Sequence, residues 1–227
     1  EVKMLVVDVT NSLSIRQAVD RILSEQGRID VLINNAGMGI GGALELATEE
    51  EVNIQMNTNF FGVVNMCREV LPVMRKNRKG KIINISSIGG VMGIPYQGFY
   101  SASKFAVEGY SEALALEVHP FNIKVCVVEP GDFNTGFTDN RNISEQTRLD
   151  ADYGESFRKS LEIIEKEERN GCHPRKLAAA ICKIVERTNP PFRTKVGLWI
   201  QVLFAKSKKW LPDAVMQYAL RIFYAIK

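Results

Sequence analysis

SSIGGVMGIPYQGFYSASKFAVEG, residues 86–109, decides how this chain is read. A serine pair closes the apolar run KIINI. Thirteen residues after Ser87 comes Tyr100, with Lys104 one helical turn behind it. Side chains at i and i+4 share a helix face, so the phenol of Tyr100 and the ammonium of Lys104 reach one small volume. A free phenol titrates near 10, and making it a proton shuttle at neutral pH means stabilising its phenolate by roughly 4 kcal/mol. A lysine within a few ångströms supplies part of that. Serine and tyrosine hydroxyls converging on one carbonyl or carbinol oxygen orient it for proton exchange. That is half of a hydride transfer, and the hydride needs a cofactor.

Working outward, the residues alternate between buried-strand and helical patterns. Val2 to Val9 is a continuous aliphatic run, expected as a parallel strand covered on both faces. Ile15, Val19, Ile22 and Leu23 form a helical stripe that stops at Gly27, and DVLIN (residues 30–34) starts the next strand. Thr48 to Arg75 carries a long apolar stripe (Val52, Met56, Val63, Cys67, Val70, Met74), interrupted by Asn57 and Asn59, with Pro72 reading as a late bend. KIINIS and Asn122 to Val128 are further buried strands. Asn84 is expected as a satisfied core amide, and Ser86 and Ser87 must point to opposite sides of the sheet. This rhythm predicts an α/β fold of the Rossmann-like, doubly wound kind. Its parallel sheet carries helices on both faces and a ligand crevice at the carboxyl ends of the strands.

The motifs DVT (8–10), NNAG (34–37), NFFG (59–62), NISS (84–87), YSASK (100–104) and PGDFNT (130–135) occur in this order. In them the chain resembles the classical short-chain dehydrogenase/reductase family over Val2 to about Thr135. The run GGVMGIPYQGFYSASKFAVEG looks like the branch holding 17β-hydroxysteroid and retinol dehydrogenases. The resemblance implies an oxidoreductase that moves hydride between NAD or NADP and a carbonyl or secondary alcohol, with a bulky apolar substrate such as a steroid or retinoid. It assigns Ser87 to orient the substrate oxygen, Tyr100 to exchange the proton, and Lys104 to lower the phenol's pKa and hold the ribose. Asn59 is assigned to a water relay. Asp8, Val9, Asn35, Ala36 and Gly37 are implied to border the cofactor. Pro130, Phe133 and Thr135 fall where the family clamps the nicotinamide, although Phe133 stands where a small aliphatic residue is usual.

The 227 residues are read as one domain, in which 136–227 hold a substrate loop and variable helices. A net charge of +3 without a basic block excludes a nucleic-acid partner. Four dispersed cysteines and two distant histidines point to reduced thiols, a cytoplasmic setting and no metal. The chain opens directly on VKMLVVDV, so the family's glycine-rich amino-terminal βαβ portion is expected to be missing from it. Phe137 to Asp152 has no period and reads as a mobile loop or lid. Gly154 to Arg169 and Pro174 to Thr188 read as helices, Lys195 to Ile200 as a last strand, and Trp210 to Ile226 as an apolar helix. Core packing is the expectation for that tail, against covering a large apolar substrate, packing on a second subunit, or touching a membrane surface beside Lys206, Lys208 and Lys209. A homodimer or homotetramer follows only from the family. The competing class is a nucleotide-sensing protein without turnover; a hydrolase lacks a G-x-S-x-G and a histidine partner.

Overall fold

The computed structural model describes residues 2–226. Helix α1, Ser12–Gln26, starts where the Asn11 side chain accepts the backbone N–H groups of Leu13 and Ser14 and ends at Gly27, whose φ of 73° is left-handed. Strand β1, Val31–Asn34, and the short β2, Ile40–Gly41, follow. Helix α2, Glu49–Met56, opens with a reciprocal Thr48/Glu51 capping box. It runs through a five-residue π turn, Asn57–Phe61, into α3, Gly62–Lys76. Next come β3, Gly80–Ile85, the 21-residue α4, Gly98–Val118, and β4, Ile123–Pro130. Beyond them lie β5, Asn142–Ile143; α5, Glu145–Leu149; α6, Gly154–Arg169; and α7, Pro174–Glu186. The chain closes with β6, Arg193–Val196; α8, Trp199–Ser207; and α9, Asp213–Phe223.

The main sheet has the order β1-β3-β4-β6, every neighbour parallel. The α/β architecture expected from the pattern is borne out. Register is fixed by side chains as well as by backbone. Asn34 lies opposite Asn84 and donates to its Oδ1 at 2.8 Å, while Asn84 Nδ2 donates to Ser111 of α4 at 2.8 Å. The amide is therefore satisfied, and a one-residue slip would leave it orphaned in the core. Two apolar clusters sandwich the sheet. One, around Ile82, Val125, Val107 and Cys67, faces α1, α3 and α4; the other, around Ile83, Cys126, Val128 and Ile184, faces α7.

Several sequence expectations change. Val2 to Val9 forms no strand: it has no neighbouring strand to share hydrogen bonds with, and Val2, Met4 and Val6 stand almost fully exposed. The Thr48–Arg75 stripe is two helices, because the Gly62 N–H bonds to the Asn57 carbonyl five residues back and inserts an extra residue at the paired asparagines. The aperiodic Phe137–Asp152 segment is anchored rather than a lid. Its β5 pairs with β2, and Thr138, Arg141, Ser144 and Thr147 are buried. An ion pair of Arg141 with Glu168 and a Thr147 bond to the Ala43 N–H hold it, contacts that no local period announces. The last strand ends at Val196, and Trp199 already starts a helix. In α9 only Met216 is buried, and Val215, Tyr218 and Ile222 form an exposed stripe, so the tail is not core.

Candidate active site

The carboxyl ends of β1, β3 and β4 open on a cavity of about 430 Å³, within the range of small-molecule sites. Ser87 lies two residues beyond β3 and caps the turn that follows, its Oγ accepting the Gly89 N–H at 3.0 Å. Ser86 points the other way: its hydroxyl is buried and leaves no room for a Cβ on Gly90. Tyr100 lies in the first turn of α4 with its ring tilted on Phe137, centroids 5.7 Å apart. Lys104, one turn on, is buried; its Nζ donates to the Ile85 carbonyl at 2.9 Å and stands 5.8 Å from the centre of the Tyr100 ring. Ser87, Tyr100 and Lys104 all line the cavity, as do Asn35, Gly37, Pro130, Phe133 and Thr135.

The electrostatics reverse one expectation. Burial pushes the Tyr100 phenol up to about 12, against which the Ser87 hydroxyl pulls down. Burial also pushes Lys104 down to about 8. The Lys104 ammonium, itself costly to keep at this depth, does not offset the desolvation of the phenolate. Tyr100 is consequently protonated at neutral pH.

Asn59, on the π turn, is completely buried. Its Oδ1 accepts the Met38 N–H at 2.9 Å, and its Nδ2 donates to the Met38 carbonyl at 3.0 Å and to Ser103 at 3.1 Å. Both amide hydrogens are thereby spent on clamping the β1 turn to α4, which leaves the side chain no donor for the expected water relay. Gly37 closes the same corner: a Cβ there would stand 3.4 Å from Asn59 Oδ1 and 3.5 Å from Lys104 Nζ. Ala36 lies between Asn35 and Gly37 in that turn. Asp8 and Val9 are set apart from the cavity, Asp8 bonding to Thr10 and Val9 packing on Gly62.

The remaining wall was not singled out from the sequence. Asp132, inside PGDFNT, faces the cavity, and α8 reaches it: the Asp132 N–H donates to Gln201 Oε1 at 3.0 Å, and Gln201 Nε2 donates back to the carboxylate. Ile164, Glu167 and Glu168 of α6, with Phe223 and Tyr224 at the end of α9, complete it. Only PGDFNT offered a local cue; the others meet through tertiary folding. Among the described residues no group of three or more His, Cys, Asp or Glu could hold a metal ion, and no helix is long and apolar enough to cross a membrane.

Residues 1–146 match the family model described as short chain dehydrogenase. A 3-ketodihydrosphingosine reductase from Bacteroides thetaiotaomicron is 83% identical over 227 residues, all of this chain and 84% of the relative. Among solved structures, a short-chain dehydrogenase from Streptomyces avermitilis superposes with a TM-score of 0.80 at 34% identity, covering 94% of this chain and 75% of that one. The closed form of a serine dehydrogenase complexed with NADP+ does so with a TM-score of 0.71 at 26% identity, covering 84% and 73%. Agreement in fold, in motif order and along the whole length leaves one assignment: the chain belongs to the short-chain dehydrogenase family.

Proposed function

We propose that the chain is an NAD(P)-dependent reductase of a long-chain ketone of the type named for its Bacteroides relative, 3-ketodihydrosphingosine. The observation that carries this reading is the convergence of Ser87, protonated Tyr100 and Lys104 on one cavity that Ile94, Ile164, Leu177 and Phe223 also line. The 83% identity favours a sphingoid ketone over a steroid or retinoid.

The residues present fit a dinucleotide. Asn35 and Gly37 of the turn after β1 line the cavity beside the Lys104 ammonium. The buried Lys104 ammonium uses one of its three hydrogens on Ile85, leaving donors for ribose hydroxyls. Pro130, Phe133 and Thr135 supply the opposite wall. When bound, the nicotinamide supplies the hydride for the carbonyl carbon.

The chain's own residues manage the oxygen. Ser87 and Tyr100 take the carbonyl oxygen between two hydroxyls and polarise it. As negative charge develops there, Tyr100 gives up its phenolic proton, and Lys104 stabilises the phenolate left behind. A phenol held near 12 suits this direction, because it stays protonated until an alkoxide, a far stronger base, forms beside it.

The test is oxidation of NADPH and NADH by the purified chain in the presence of 3-ketodihydrosphingosine, followed by nicotinamide absorbance and by isolation of the alcohol. Substrate-dependent oxidation that Tyr100→Phe removes is expected. No turnover with either nucleotide, despite nucleotide binding, would overturn the reading.

A further inference from the structure

The cavity is sorted chemically. Tyr100 and Ser87 occupy its carbonyl end, and Ile94, Ile164, Leu177 and Phe223 give it an apolar flank. Asp132 lines the same cavity, with Glu167 and Glu168, and its backbone is fixed from two sides. The Cys172 N–H donates to its carbonyl at 2.9 Å, and Gly171 approaches so closely that a Cβ would fall 2.5 Å from the Asp132 carbonyl group. The Gln201 amide clasps it from α8, and the same amide leaves no room for a Cβ on Gly131. These contacts fix the Asp132 backbone, and the Gln201 amide orients its carboxylate.

What this carboxylate lacks is a cation. Its side-chain hydrogen bond comes from a neutral amide, and among the described residues it has no ion-pair partner. The nearby Arg141 is ion-paired with Glu168 and acts on the Asp132 carboxyl only from a distance. A half-buried anion left in this state is costly unless a positive group joins it. Its charge also reaches the Tyr100 phenol, so the two groups share one small region.

We propose that Asp132 sets substrate selection by pairing with a protonated primary amine carried on the carbon next to the ketone. The proposal rests on the ketone-reductase reading above and names the group by which that site tells an amino ketone from a plain one. An α-amino ketone places its oxygen and its ammonium on adjacent carbons, so Tyr100 and Ser87 take the first while Asp132 takes the second. The alkyl chain then lies along the apolar flank. Burial holds the Asp132 carboxyl up to about 6, with Glu168 and Glu167 pushing the same way and Gln201 and Arg141 opposing. It is therefore ionised at neutral pH, and an incoming ammonium offsets the cost of that ionisation.

The test compares 3-ketodihydrosphingosine with its N-acetyl derivative, which keeps the chain and the ketone but loses the charge. Wild-type protein is expected to prefer the free amine in kcat/KM by about 10- to 100-fold, the worth of a charge-assisted hydrogen bond. Asp132→Asn should abolish that preference by lowering turnover of the free amine, leaving the N-acetyl compound within about threefold. Asp132→Glu should keep much of the preference and guards against misfolding of the asparagine variant. An equal fall for both ketones in Asp132→Asn, or a preference that survives it, would overturn the role of Asp132. Failure of wild type to reduce either ketone would instead overturn the reductase reading beneath it.

Discussion

Removing Asn59 tests whether the π turn is a structural clamp. Asn59→Ala deletes the bonds to Met38 N–H, to the Met38 carbonyl and to Ser103. The three groups are not left equally bare. The Met38 carbonyl keeps its bond from Gln55 Nε2 at 2.9 Å, and Ser103 keeps its bond to the Tyr100 carbonyl at 2.7 Å. Only the Met38 N–H is orphaned. One orphan, at about 1–3 kcal/mol, plus lost bonding at about 1 kcal/mol predicts a destabilisation of roughly 2–4 kcal/mol. Gln55→Ala alone should cost a similar amount, because it orphans the Ile40 N–H. The double variant removes both partners of the Met38 carbonyl, so its cost should exceed the sum of the singles by about 1–2 kcal/mol. Urea unfolding of the four proteins measures this cycle. Additive losses, or an Asn59→Ala cost below about 1 kcal/mol, would show that water replaces the amide and would refute the clamp.

Tyr100→Phe should lower kcat by about 10²- to 10⁴-fold with an unchanged melting temperature; steady-state rates and a thermal melt check both. Lys104→Met should abolish turnover yet stabilise the fold at pH 7. Burial lowers the lysine pKa to about 8, so the unfolded chain holds its proton more tightly. The wild-type penalty, roughly 3 kcal/mol before the lost Ile85 bond is subtracted, is full below about pH 8 and vanishes as pH rises past 10.5. The variant's advantage should therefore shrink between urea melts at pH 7 and pH 10. Glu168→Gln leaves the buried Arg141 without its counter-charge and should cost about 3–5 kcal/mol. Limited proteolysis should then nick residues 137–149 first, whereas cleavage elsewhere would argue against the anchor.

What could be read from the residues was whatever local spacing dictates. Tyr100 and Lys104 are one turn apart on a helix, so their pairing needed no tertiary information. The strands around Ile82 and Val127 declare themselves by unbroken aliphatic runs. Val2 to Val9 carries the same pattern and misled, because a strand exists only beside another strand and that neighbour is a property of the fold. The Arg141–Glu168 pair and the Asp132–Gln201 clasp join residues 27 and 69 positions apart, which no period reveals. The phenol's high pKa was misjudged for the same reason: charge spacing is legible in sequence, and depth of burial is not.

The Gln201 clasp separates two jobs that many enzymes fuse. On the proposed reading Ser87 and Tyr100 manage the proton, whereas the carboxylate that would meet the substrate's amine is steered from α8, far downstream. Exchanging α8 between homologous chains would therefore retune which ketones are accepted while the reacting hydroxyls stay untouched.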